Sequence, residues 1–168
     1  GSMTLSAGDF AGDIMIDNAV MGANGSMTLS AAAGVISHSN GTLSTGQMTA
    51  TAMEGIRMTL DADRVDAVVT GVAGDINIVG RSNLIINKAT TTEGDITAWV
   101  DGDVIATDVA TGDGAVNVTA FGDVIATSIE AQSLSDDNDI SITTYDMDGA
   151  GGGSADLTYT ALATGSGG

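Results

Sequence analysis

The sequence predicts an all-β protein, a parallel β-solenoid (right-handed β-helix) with coils of about 20 residues. Three observations carry that prediction. The hexapeptide GDVIAT stands at Gly102–Thr107 and again at Gly122–Thr127, 20 residues on. The short segments between turns alternate apolar, polar, apolar, as in Ile-Asn-Ile, Val-Asn-Val and Ile-Ser-Ile, which is the period of a strand with one buried face. The chain has 24 glycines and no proline, which suits tight corners and a hydrogen-bond ladder that needs nearly every N–H.

The 20-residue offset aligns whole columns. Ile76, Ile96 and Val116 form one, and Ile78, Ala98 and Val118 the next. Leu84, Val104 and Val124 follow, then Ile85, Ile105 and Ile125, then Ala89, Val109 and Ile129. Gly74, Gly94 and Gly114 precede the first column, and Ile56 and Met58 fit one period earlier, beside Gly55. Ile140-Ser141-Ile142 begins a longer unit, 24 residues after Val116. Leu157-Thr158-Tyr159, 17 residues beyond, reads as the next coil in that column. GDIMID (Gly12–Asp17), GSMTLS (Gly25–Ser30) and GVIS (Gly34–Ser37) are strand-like, without a fixed register. The heptapeptide GSMTLSA occurs at both Gly1–Ala7 and Gly25–Ala31.

A βαβ unit needs more residues than one such period, and a propeller blade needs roughly twice as many. An antiparallel sandwich of short strands explains the turns but not the constant offset. One coil per period explains both. The chain is therefore expected to form one solenoid domain over residues 1–168, with clear repeats over 55–164 and looser coils over 1–54. Roughly eight coils would make a rod on the order of 40 Å long. It is either a rod in itself or a piece of a longer shaft.

Composition excludes several functions. The formal charge is −18, with 4 Lys plus Arg against 22 Asp plus Glu, so the basic footprint of a nucleic-acid binder is missing. With no cysteine, disulfide frameworks and Cys-ligated metals are impossible. No uninterrupted apolar run approaches the roughly 18 residues of a membrane span, and the opening GSMTLSAGDF has neither a basic nor an apolar signal region. The apolar content of 43% argues against the disorder that so acidic and glycine-rich a chain first suggests.

Units such as GDITAWVDGDVIATDVATGDGAVNVTAFGDVIAT resemble the repeat regions of filamentous haemagglutinin-type adhesins and autotransporter passenger domains. The resemblance covers Gly55 to Thr164 well and the N-terminal third poorly. It implies a β-helix at the bacterial cell surface or outside the cell, with adhesive or matrix roles. It also implies host or matrix glycans as partners. The NPNG-like motif of the haemagglutinin secretion domain is missing, so the chain reads as shaft.

Candidate chemistry is sparse, and no catalytic, cofactor-binding or metal-ligating residue is assigned. Gly-Asp pairs place Asp9, Asp13, Asp75, Asp95, Asp103, Asp113 and Asp123 at turns. Hard oxygen ligands make Ca²⁺ the cation to consider there, with Asp101, Asp103 and Asp123 the first choice. The commoner role is turn formation, Asp bonding its own backbone. Stacked Asp103 and Asp123 are expected to repel. GAGGGSADL (Gly149–Leu157) resembles the Ca²⁺ nonapeptide of RTX repeats, but Ser154 replaces a glycine and the motif occurs once. SDDND (Ser135–Asp139) reads as a solvated loop.

Arg57, Arg64, Arg81 and Lys88, too few to suggest a lyase base, are expected to pair with nearby acids such as Asp61, Asp63 and Asp66 rather than to form a basic strip on one face. Two carboxylates for glycoside hydrolysis are easily found in so acidic a chain, so their presence decides nothing. Thr49/Thr51, Thr90–Thr92 and Thr158/Thr160 are too irregular for an ice-binding face. His38, within Ser-His-Ser-Asn, is expected in an exposed polar turn. Trp99 and Phe121 fall in outward-facing columns, where they either pack or meet a sugar or a neighbouring rod. The sequence thus points to a non-enzymatic rod, alternatively to a filament subunit that stacks end to end.

Overall fold

A computed structural model describes residues 1–8, 12–17, 19–132, 139–145 and 155–165. Side chains of residues 19–24 are outside that description. Asp9, most of the SDDND segment and most of GAGGGSADL, Ser154 included, lie outside the described residues.

The described residues form strands and turns, with no helix. The first six strands are β1 (Ser2–Ala7), β2 (Ile14–Ile16), β3 (Ala19–Ala31), β4 (Val35–His38), β5 (Gly41–Ala52) and β6 (Gly55–Val69). Then follow β7 (Ile76–Gly80), β8 (Leu84–Thr91), β9 (Ile96–Val100), β10 (Val104–Ala106) and β11 (Val109–Thr111). The last four are β12 (Val116–Ala120), β13 (Val124–Ala131), β14 (Ile140–Thr144) and β15 (Leu157–Thr164). Every strand pairing is parallel. The chain is a β-solenoid.

Three ladders surround one core. The first runs β2-β4-β6-β7-β9-β12-β14. The second stacks Leu84–Ile86 on β10, the start of β13 and then β15. The third passes through β1, β3, β5, β6, β8, β11, β13 and β15, roughly 35 Å at the usual strand spacing. In the central coils the register is the 20-residue one: Ile76↔Ile96↔Val116, Leu84↔Val104↔Val124 and Ala89↔Val109↔Ile129 are direct neighbours.

The N-terminal coils are built differently. β3, β5 and β6 are 13, 12 and 15 residues long and run through what later becomes a corner between two faces. GSMTLSA stacks on its own copy there, with Met3↔Met27 and Leu5↔Leu29 in register. The last strand also departs from the sequence-based expectation. Leu157 pairs with Val124 and Tyr159 with Ala126, on the second ladder, not with the Ile140 column.

Alternation decides what is buried. Along β7, β9 and β12 the first, third and fifth residues face inward and are buried. Each Ile, Val, Leu or Met so enclosed is worth about 1.5–3 kcal/mol of transfer free energy. The described core is aliphatic, with Met and Ala and no Phe, Tyr or Trp. Ile85, Ile105 and Ile125 form a column as expected, but on the outer face: Ile105 is 38% and Ile125 48% exposed.

Candidate functional surface

The Gly-Asp corners are hydrogen-bonding devices that work between coils. Asp75 Oδ1 accepts the backbone N–H of Asp95 at 2.9 Å, and Asp95 Oδ1 accepts that of Ala115 at 2.8 Å. At the next corner Asn83 Oδ1 accepts from Asp103 N–H (2.9 Å), Asp103 Oδ1 from Asp123 N–H (3.0 Å) and Asp123 Oδ1 from Asp156 N–H (2.9 Å). Asp13 Oδ1 serves Val35 N–H in the same way at 3.0 Å. The expected own-backbone turn bond is thus replaced by a bond one coil away. Each carboxylate satisfies an N–H that the turn would otherwise leave to water, and an ionised acceptor strengthens that bond.

This geometry also answers the expected repulsion between Asp103 and Asp123. The second oxygen of Asp103 lies 3.3 Å from Asn83 Nδ2, so the group is engaged on both sides. Asp101, the third candidate for Ca²⁺, holds Arg81 Nη1 at 3.3 Å. Among the described residues, no three His, Asp or Glu side chains group closely enough to hold a metal ion.

Corner glycines permit the close stacking. Gly94 has φ of 127°, and a Cβ there would stand 2.6 Å from Gly74 O. Facing inward beside them, Thr91 Oγ1 donates to Gly74 O at 2.9 Å and Thr111 Oγ1 to Gly94 O at 2.8 Å. These two hydroxyls are buried and satisfied, so the threonines of the Thr90–Thr92 run do not share one outer face.

Basic residues behave differently from the sequence-based expectation. Arg81 pairs with Asp101 on the next coil. Among the described residues that is the ion pair; Arg57, Arg64 and Lys88 hold no carboxylate at that distance. Arg57 borders an open concavity of about 480 Å³ together with Ser37, Thr59 and Asn77.

His38 is buried and does not lie in an exposed polar turn. It is 3% exposed, at the end of β4, and faces the core. Its Nδ1 accepts the backbone N–H of Thr59 at 3.4 Å, and Nε2 has no partner among the described residues. The polar neighbours Ser37, Ser39 and Asn40 suggested a turn, but strand alternation from Ile36 already put His38 on the inner side.

The aromatic residues gather on the outside. Trp99 projects from β9 between the buried Ala98 and Val100. Phe121 and Tyr145 follow β12 and β14, and the backbone ladder runs on through them: Phe121 N–H donates to Val100 O at 3.0 Å and Tyr145 N–H to Ala120 O at 2.8 Å. The Trp99 and Phe121 ring centres are 4.8 Å apart with planes at 67°. Phe121 and Tyr145 stack at 5.1 Å and 22°. The ring spacing is near the coil spacing: Phe121 and Tyr145 continue one column, and Trp99, in register with Thr119, meets Phe121 diagonally, so the three form a contiguous strip across three coils. Sequence columns placed Trp99 and Phe121 outside; Tyr145 was missed because the longer unit before it hid the column.

No family model, curated protein or solved structure matches the chain.

Proposed function

We propose that the chain is a non-enzymatic structural segment, a stiff rod belonging to a bacterial extracellular or cell-surface protein and serving adhesion or matrix formation. The observation that carries this reading is the continuity of bonding along the axis. Strand ladders, corner carboxylates and buried threonine hydroxyls all join one coil to the next. Stiffness is the property such a lattice gives, and spacing a binding surface from a cell is the use it suits. The resemblance to adhesin and passenger repeats agrees with it. Protease shaving and antibody labelling of intact cells test the location. Labelling on intact cells together with weaker attachment after deletion is expected; a strictly intracellular protein or polysaccharide cleavage by the purified chain overturns the reading.

A second reading, end-to-end stacking, has its own observation. β1, β2, β14 and β15, the outermost strands of the described solenoid, carry no charged residue in a chain of net charge −18. Strand edges without charge or proline invite further strands. Leu5, Leu157 and Leu162 are 37–41% exposed there. Such edges accept further coils of a longer chain or a second copy. Sedimentation of the purified chain across a concentration series separates the two: growing polymers support filaments, and a constant monomer removes them.

A further inference from the structure

We infer that the line Trp99–Phe121–Tyr145 is a binding track for a neutral, extended polysaccharide lying along the rod. The inference deepens the adhesive reading above and rests on it for its biological setting, though not for its test.

Three of the chain's five aromatic residues meet on one outer strip, while the described core contains none. Packing alone does not require this, because the inner columns are filled by Ile, Val, Leu, Met and Ala. Large rings on the outside cost exposed apolar area: Tyr145 is 48% exposed. The 67° tilt leaves Trp99 not covered face to face by Phe121. Trp99 and Phe121 are partly exposed and Tyr145 is exposed, and such apolar ring bodies, polar-tipped in Trp and Tyr, pack against the C–H side of a sugar ring.

The surroundings select the class of sugar. Outward Thr97, Asn117, Thr119 and Thr143 lie in register beside the rings and offer hydroxyl and amide groups. Asp101 stacks directly before Phe121, and Asp103 and Asp123 follow at the same corner. Carboxylates accept bonds from sugar hydroxyls and repel uronate or sulfated chains. Phe121 and Tyr145 continue one column and Trp99, in register with Thr119, adjoins it diagonally; one ring per coil over three coils suits an extended chain rather than a compact monosaccharide.

Trp99 is the sole tryptophan of the chain, so intrinsic fluorescence reads this strip alone. Titration with cellohexaose is expected to give a saturable change in Trp99 emission. Tyr145→Ala should weaken binding about tenfold by calorimetry, and Lys88→Ala, elsewhere on the rod, should leave it unchanged. Circular dichroism confirms that both variants fold. No saturable change with cellohexaose overturns the inference, as does equal or tighter binding of polygalacturonate. Binding in vitro by a chain that proves intracellular would sink the adhesive role while leaving the track standing.

Discussion

Asp103 Oδ1 accepts the backbone N–H of Asp123 at 3.0 Å, one coil away. Two like-charged residues in adjacent layers are thus joined by an acceptor on one and the peptide group of the other. One position earlier, Asn83 does the same for Asp103 at 2.9 Å. The corner therefore needs a side-chain oxygen, not a charge. Asp103→Asn keeps the acceptor for Asp123 N–H but gives up the 3.3 Å bond from Asn83 Nδ2, and is expected to cost about 0.5 kcal/mol, while Asp103→Ala loses both bonds, about 2 kcal/mol. Urea denaturation of the two variants checks this; equal losses would mean that the charge matters instead.

Acidic corners stacked along a rod of net charge −18 also predict a salt response. Raising ionic strength screens repulsion between neighbouring exposed carboxylates. Melting temperature should rise with NaCl. Mg²⁺ and Ca²⁺ should act alike at equal concentration, since the corner oxygens already hold N–H groups. A Ca²⁺-specific rise at micromolar concentration would contradict that assignment.

The two copies of GSMTLSA give an internal control. Leu5 and Leu29 are direct neighbours in the same heptapeptide, yet Leu29 is fully buried and Leu5 is 38% exposed. Leu29→Ala should cost about 2–5 kcal/mol. Leu5→Ala should cost about 1 kcal/mol or less, because the side chain keeps much of its contact with water. Chemical denaturation of both variants measures the difference, and equal costs would show that the outermost coil is covered.

Gly94 and Thr111 meet at one carbonyl, Gly94 O, where the Thr111 hydroxyl donates at 2.8 Å. Gly94→Ala adds a Cβ beside Gly74 O at a φ that disfavours it, and should cost about 2 kcal/mol. Thr111→Val keeps the shape and leaves the carbonyl short of one donor, at about 1–2 kcal/mol. Thermal unfolding of the two variants provides the readout.

The fold was legible where the coil length is constant. Between Gly74 and Ala131 every core column sits at a 20-residue offset, because each corner is closed by the same Gly and Asp or Asn pattern. Upstream, β5 and β6 run straight through a corner, so their partners stand 17 residues apart at Leu43↔Leu60, and no repeated turn marks the register. Leu157 was misplaced because spacing alone does not say which face a strand joins after an irregular segment. Ile85, Ile105 and Ile125 form a wholly outward column, and only alternation with the inward Leu84, Val104 and Val124 tells the two faces apart. The surface was less legible than the core. The Trp99 and Phe121 columns were visible, but that the rings touch, and that Tyr145 extends the line, depends on register across the 24-residue unit.

The central claim is the parallel, in-register stacking of coils, and cysteine pairing tests it most directly because the chain has no cysteine of its own. Thr97, Asn117 and Ser141 are successive outward neighbours on β9, β12 and β14. Adjacent layers lie within disulfide reach and second neighbours do not. The pairs Thr97→Cys with Asn117→Cys, and Asn117→Cys with Ser141→Cys, should cross-link rapidly under mild oxidation in the folded state. The pair Thr97→Cys with Ser141→Cys should not. Equal cross-linking of all three pairs, or failure of the two in-register ones, would contradict the solenoid.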